Sequence, residues 1–284
     1  MVPLRTLPLA VLAVALAAAP LSAQTSKEAD AAYSEGVKHV NAKEYKEAIG
    51  PLERALSLAP DDAYKVKVYR ALVPAYRTLP EPEKMAEACE FVLRRSDQLA
   101  ERRTTAAALS SFYFQRGLTE AQVKRYRALY EKDKSDYAAV AMLSEMARSA
   151  KLEKDTAETY KKNYQEAERG LAGKLAAAQE ESAGKDKAQE AWRWKEAAVL
   201  WVAAGDRPRA LAAAAKAEAA GPEQRETLVH FWHAQLGDVY AENGKHAEAL
   251  KDFEKALAAT TIQGYQEACR KKIEESKKKL AEKP

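Results

Sequence analysis

Residues 230–263, HFWHAQLGDVYAENGKHAEALKDFEKALAATTIQ, decide how this chain is read. Leu236-Gly237 and Tyr240 mark one short helix, and Ala249, Phe253 and Ala256 a second. Within each helix the apolar and small residues recur three and four apart, which makes one stripe for burial. Asn243-Gly244 supplies the turn chemistry between them. Working outward, the same frame returns upstream as Trp194, Trp201, Gly205-Asp206, Ala210, Ala217 and Pro222. It returns again near the amino end as Gly36, Ala48, Leu52, Ala55 and Pro60, with separations of 12, 4, 3 and 5.

In this frame six units of 34 residues fit: 29–62, 66–99, 103–136, 137–170, 191–224 and 230–263. The second keeps Tyr69, Leu72, Tyr76, Met85, Cys89 and Val92, with Val73 where glycine is usual. The third keeps Leu109, Ser110, Tyr113, Gly117, Tyr126 and Leu129, and the fourth, the weakest, keeps Leu143 and Ser144. Small residues (Gly36, Ser110, Ser144, Ala198, Gly237) let paired helices approach closely, and Leu52, Tyr126, Tyr160 and Phe253 fill the gaps between units. One such pair cannot bury its stripe alone, so stacked neighbours must supply the core.

The frame resembles the tetratricopeptide repeat, with its W-x2-L-G-x2-Y, then A-x3-F, then A and a late P. The resemblance implies an all-α chain, an α-solenoid of about six helix-turn-helix units ending in a capping helix. The organisation expected is a signal peptide at 1–23, units one to four at 24–170 and units five and six at 191–263. Between them, 171–190 breaks the frame as an irregular or extra-helix connector in which a lengthened helix is expected. Residues 264–284 read as the C-terminal cap, where charged residues outnumber Cys269, Ile273 and Leu280. A polar-faced terminal helix is what such an end needs; a basic tail for membrane phosphates is the competing reading.

Composition agrees. Eleven glycines and eleven prolines make up about 8% of 284 residues, against a usual ~12%. That argues against a sandwich or barrel of many short strands. Thirteen Tyr, four Trp and five Phe are spread along the length, which argues against disorder. The formal charge of +4, from 46 basic and 42 acidic residues, is too balanced to imply nucleic acid.

Residues 1–23 differ from the rest. Arg5 is the only charge, an apolar run extends from Leu7 to Ala19, and Pro20 is expected to break any helix there. Leu21-Ser22-Ala23 places a small residue before Gln24, the pattern of a secretory signal cleaved near Ala23. The competing reading is an uncleaved anchor, for which the run falls short of the ~20 apolar residues a bilayer requires. Cleavage would leave an exported, periplasmic or secreted chain with no transmembrane segment. Cys89 and Cys269, four units apart, are expected to be free core thiols.

Chemistry is hard to find. No H-E-x-x-H, G-x-S-x-G or C-x-x-C occurs. His230, His233 and His246 are the best metal candidates, yet His233 falls in the slot Trp194 holds and His246 in that of Tyr45, and His39 takes an interior aromatic slot. No catalytic residue, metal or cofactor is therefore assigned.

The resemblance implies instead a groove, lined by the first helix of each pair, that binds a peptide or protein segment. Projecting that face gives Lys67, Arg70 and Arg77, then Ser111 and Phe114, then Met142, Glu145 and Arg148, then Trp192 and Lys195, and finally Phe231 and Asp238. Exposed aromatics and Met beside Arg are typical of binding hot spots. The function expected is a non-catalytic interaction scaffold in the bacterial periplasm or cell envelope, as a member of an envelope complex. The alternative is an envelope glycan or small-ligand binder in which Trp192, Trp201 and Trp232 stack on sugars.

Overall fold

The computed structural model describes residues 12–80, 82–221 and 226–282. Among them are thirteen α-helices and no strand. Six successive pairs are α1 (Leu12–Asn41) with α2 (Tyr45–Ser57), α3 (Asp62–Tyr76) with α4 (Pro82–Arg95), α5 (Leu99–Gln115) with α6 (Thr119–Lys132), α7 (Tyr137–Met146) with α8 (Lys154–Ala183), α9 (Glu190–Ala204) with α10 (Arg207–Ala220), and α11 (Glu226–Glu242) with α12 (His246–Ala258). The last helix is α13 (Gln263–Ala281). The chain divides into two compact units, residues 1–164 and 165–284.

The pairs close on small residues. A Cβ on Gly36 would lie 2.4 Å from Leu52 Cγ, and one on Gly237 would lie 2.5 Å from Phe253 Cε1. No real side chain tolerates such distances, so these glycines are where one helix rests on the next. Ala48, Ala55, Ala210, Ala217, Ala249 and Ala256 are fully buried on the second helices.

The turns repeat one device. Gly117, Gly205 and Gly244 have φ of 68°, 81° and 73°, the left-handed region that glycine enters without steric penalty. At the corresponding turns of the first and fourth pairs stand Lys43 (φ 63°) and Lys151 (φ 51°). Aspartates start three helices: Asp61 accepts from the Tyr64 amide at 2.7 Å, Asp136 from the Ala138 amide at 2.9 Å, and Asp206 from the Arg209 amide at 3.1 Å.

In the amino-terminal unit α7 packs on α4, α5 and α6, and charge is built into that junction. Glu90, 9% exposed, accepts from Arg125 at 2.5 Å, from the Tyr126 hydroxyl at 2.7 Å and from Arg94 at 3.0 Å. Burial pushes the Glu90 carboxyl upward, but these three donors hold it below the usual carboxylate range. Arg94 also donates to Asp136 at 3.0 Å. Arg102, 5% exposed, donates to the Leu93, Arg94 and Ser96 carbonyls at 2.6, 3.2 and 2.6 Å. Those are the orphan acceptors at the negative end of α4. Cys89 is free and buried beside Met85, with Sγ and Sδ 4.0 Å apart.

In the carboxy-terminal unit, α8 continues unbroken through Gly170 and Gly173, where the sequence frame lapses. Gly173 brings it against Trp201, with a Cβ there 3.5 Å from Cζ3, and the Trp201 indole donates to Glu180 at 3.0 Å. Cys269 is free and buried on α13.

Two local expectations are corrected. Pro20 lies inside α1 instead of ending a helix; it removes one donor, and the alanines before it are the strongest helix formers. His39 is not interior: it sits partly exposed in the last turn of α1, with Nδ1 2.7 Å from Glu44. The expected signal segment, 1–23, lies outside the described residues up to position 11. Among the described residues no helix is long and apolar enough to cross a membrane.

Candidate functional site

On α5, Leu109, Phe112 and Tyr113 take up the buried directions. Phe114 is left pointing outward, 64% exposed. Burying such a ring is worth ~1.5–3 kcal/mol, which a covering partner would recover. Beside it opens a cavity of about 460 Å³ between α5 and the residues at and after the end of α7. Ala107, Ser110 and Ser111 form one wall with Phe114; Glu145, Arg148 and Lys151 form the other. Arg148 is exposed and has no ion pair among the described residues. An apolar ring, the hydroxyls of Ser110, Ser111 and Ser149, and the cations Arg148 and Lys151 therefore converge on one recess. Of the residues projected from sequence, Ser111, Phe114, Glu145 and Arg148 are brought together here.

The other cations of this face have partners. Arg70 makes a two-pronged pair with Glu101, its Nη2 at 2.8 Å, which ties α3 to α5. Lys67 lies 4.1 Å from the centre of the Tyr33 ring and 5.0 Å from that of Tyr64, with Asp30 at 4.0 Å. Arg77 is exposed and reaches only Gln115, at 3.4 Å. Lys67 and Arg70 are thus ties between neighbouring helices before they are ligands for anything else.

Met142 and Lys195 must be removed from the groove. Met142 is 0% exposed, because residues 138–143 of α7 are buried on every side and the helix has no outer face there. Lys195 is also fully buried; its ammonium sits 3.6 Å from the centre of the Trp192 ring, 2.5 Å from Glu196, and against the Gln235 side-chain carbonyl.

In the carboxy-terminal unit Trp192 is half-buried, its ring 6.4 Å from that of Trp232. Phe231 is 39% exposed and meets the equally exposed Tyr265 edge-on at 5.3 Å. Tyr265 in turn stacks on His230 at 4.9 Å. Sequence projection missed Tyr265, which belongs to the first turn of α13 and joins the patch only through packing. Asp238 is spoken for: both its oxygens accept from Lys272 of α13 at 2.7 Å.

Two of the three candidate histidines are bound into the fold, and His246 Nδ1 is buried without a hydrogen-bond partner among the described residues. His230 Nδ1 donates to the Ala256 carbonyl at 3.0 Å, and His233 Nδ1 to Asp252 at 2.8 Å. Among the described residues no group of three His, Cys, Asp or Glu is placed to hold a metal. Of the three rings of the sugar-stacking alternative, Trp201 is 5% and Trp232 1% exposed, and Trp192 alone is partly exposed. A ring enclosed on both faces cannot stack on a ligand.

The family model of the tetratricopeptide repeat matches residues 230–260, within α11 and α12. Among solved structures the chain is similar to the TPR domain of P58(IPK), with 14% identity over 91% of this chain and 67% of that one and a TM-score of 0.31. It is similar to a tetratricopeptide repeat protein from Parabacteroides merdae, with 11% identity, 88% and 99% covered, and a TM-score of 0.27. It is also similar to the TPR2AB domain of yeast Sti1, solved as a pHSP90 complex, with 14% identity, 88% and 98% covered, and a TM-score of 0.28. No protein of curated function matches it.

Proposed function

We propose that the chain, a tetratricopeptide-repeat protein, is a non-catalytic scaffold that holds a segment of another protein on the first-helix face of its amino-terminal unit. The observation that carries this reading is the recess at Phe114: an aromatic ring 64% exposed, with Arg148 across from it. A partner segment with an apolar anchor followed by a carboxylate answers both groups. The anchor covers the ring and the carboxylate pairs with the guanidinium. The tetratricopeptide repeat matched at residues 230–260 supports the scaffold reading. Export to the bacterial periplasm or envelope belongs to the same proposal and rests on the composition of residues 1–23.

A photo-reactive residue at Ser111 in cells should trap one defined envelope protein, and the same residue at an outward position of α6 should not. With that partner in hand, Phe114→Ala should weaken binding by about 2 kcal/mol, roughly thirtyfold. Charge reversal at Arg148 should act in the same direction. Equal binding by the wild type and both variants would remove this face from the mechanism. Export is read separately: the protein recovered from the periplasm should begin at Gln24.

A further inference from the structure

Tyr113 and Phe114 are neighbours in sequence but serve opposite sides of α5. Where Phe114 opens outward, Tyr113 is 0% exposed and forms the floor of a second cavity, of about 450 Å³, between α4, α5 and α6. That volume is within the ~300–1,000 Å³ range of small-molecule sites. Its lining has an unusual balance. Glu83, Glu87 and Glu90 follow one another along one face of α4, over a rise of ~10 Å. Arg125 is the single cation in the wall, and it is committed to Glu90 at 2.5 Å. Glu87 accepts from the neutral Tyr69 hydroxyl at 2.9 Å, and neither it nor Glu83 has a cation against it among the described residues. At the floor, the Gln122 side-chain carbonyl is buried with no hydrogen-bond partner among the described residues, and the buried Tyr113 hydroxyl, beside that of Tyr126, makes no hydrogen bond of normal geometry there. A buried polar group left unmatched costs ~1–3 kcal/mol, so the site favours an occupant that satisfies it.

We propose that this cavity is a binding site for alkylammonium groups, one ammonium donating to Tyr113 and Gln122 at the floor and a second charge meeting Glu87 and Glu83 at the rim. Anions are excluded by the carboxylates. Methylenes between the charges find an apolar wall in Pro82 and Ala86. The carboxylates sit one and two turns apart along the helix, so a linear di- or triamine matches their spacing better than a compact cation does. The same chemistry is present in the lysine side chain of a protein, with a single ammonium to offer.

The test is calorimetric titration of the full chain with spermidine, with diacetylated spermidine and with an Nα-acetyl-lysine amide. Spermidine should bind one to one, and acetylation of its terminal amines should weaken it at least tenfold. Tyr113→Phe keeps the ring that packs the core and removes only the hydroxyl; it should weaken spermidine about tenfold, the loss of one charge-assisted hydrogen bond. Glu87→Gln, at the exposed rim, should do likewise without touching the core. Tighter binding of the lysine amide than of spermidine would assign the ammonium to a protein side chain and support the site. The absence of saturable spermidine binding, or binding unchanged in both variants, would overturn the proposal and leave a cavity that only water fills.

Discussion

The hairpin α11/α12 and the junction of α4, α5, α6 and α7 have the same repeat architecture and are held by opposite means. In the hairpin, contact is a matter of shape: Gly237 vacates the space that the Phe253 ring occupies, and Ala249 and Ala256 are buried behind it. At the junction, two buried charges, Glu90 and Arg102, do the joining: Glu90 is tied to Arg94 and Arg125 at the edge, Arg94 to Asp136, and Arg102 to the end of α4. Shape is forgiving, because packing loosens gradually. A buried charge is not, because deleting it leaves enclosed partners such as the Tyr126 hydroxyl unmatched in low dielectric. Repeats that drift from the family pattern can therefore remain well held, provided each buried charge is answered.

The largest effect should come from the charged side. Glu90→Ala leaves the buried Tyr126 hydroxyl unmatched, while Arg125, whose side chain is 45% exposed, turns to water; the loss should be about 2–4 kcal/mol. Urea unfolding measures the loss, and hydrogen exchange should localise it to α4–α7, since repeats couple mainly to their neighbours. Acid probes the same group. Its carboxyl titrates below the ordinary range when folded, so the unfolded chain binds more protons as pH falls. The Glu90 contribution is complete above the ordinary carboxylate range and disappears as pH drops through the lowered value. Melting curves from pH 7 to pH 2 should show a steeper acid limb for wild type than for Glu90→Gln.

Gly237→Ala should be smaller, about 1–3 kcal/mol, because the added methyl collides with a ring that can partly turn away. Exchange should then quicken in α11 and α12 and leave α4–α7 untouched; loss of protection in both regions would break the distinction drawn here. The smallest change should be a gain. Lys43→Gly removes the ~1–2 kcal/mol strain of a left-handed lysine. Against glycine's extra entropy in the unfolded chain, a rise of about 0.5–1 kcal/mol is expected in thermal or urea melts.

What could be read in the sequence follows the same division. Shape-based contacts leave a periodic trace, so Gly36, Leu52, Gly237 and Phe253, with the turns at Gly205 and Gly244, announced the helix pairs. Lys43 and Lys151 carry the same turn conformation with no glycine to betray it. Pro20 suggested a break that the helix does not make. In the recess, Phe114 and Arg148 were visible because a helical projection places them on one face. Met142 and Lys195 were misplaced for two separate reasons. The first lies in the stretch 138–143 of α7 that is buried on every side, and the second is a lysine whose ammonium is held inside by a ring, a carboxylate and an amide. Glu90 and Arg102 look like surface charges in sequence; only the meeting of four helices makes them interior. Tyr113 was assigned to the core correctly, but the cavity it floors needs side chains from α4 and α6 that no local pattern connects.

Cys89 has a practical consequence. Its enclosure pushes the thiol up to about 12, so almost no thiolate exists at neutral pH and alkylating reagents have nothing to attack. Modification must then wait for the helices around it to part. The rate at which a maleimide labels this sulfur, told apart from Cys269 by the mass of the peptide that carries it, becomes a built-in stopwatch for the opening of α3 and α4, available without altering a residue.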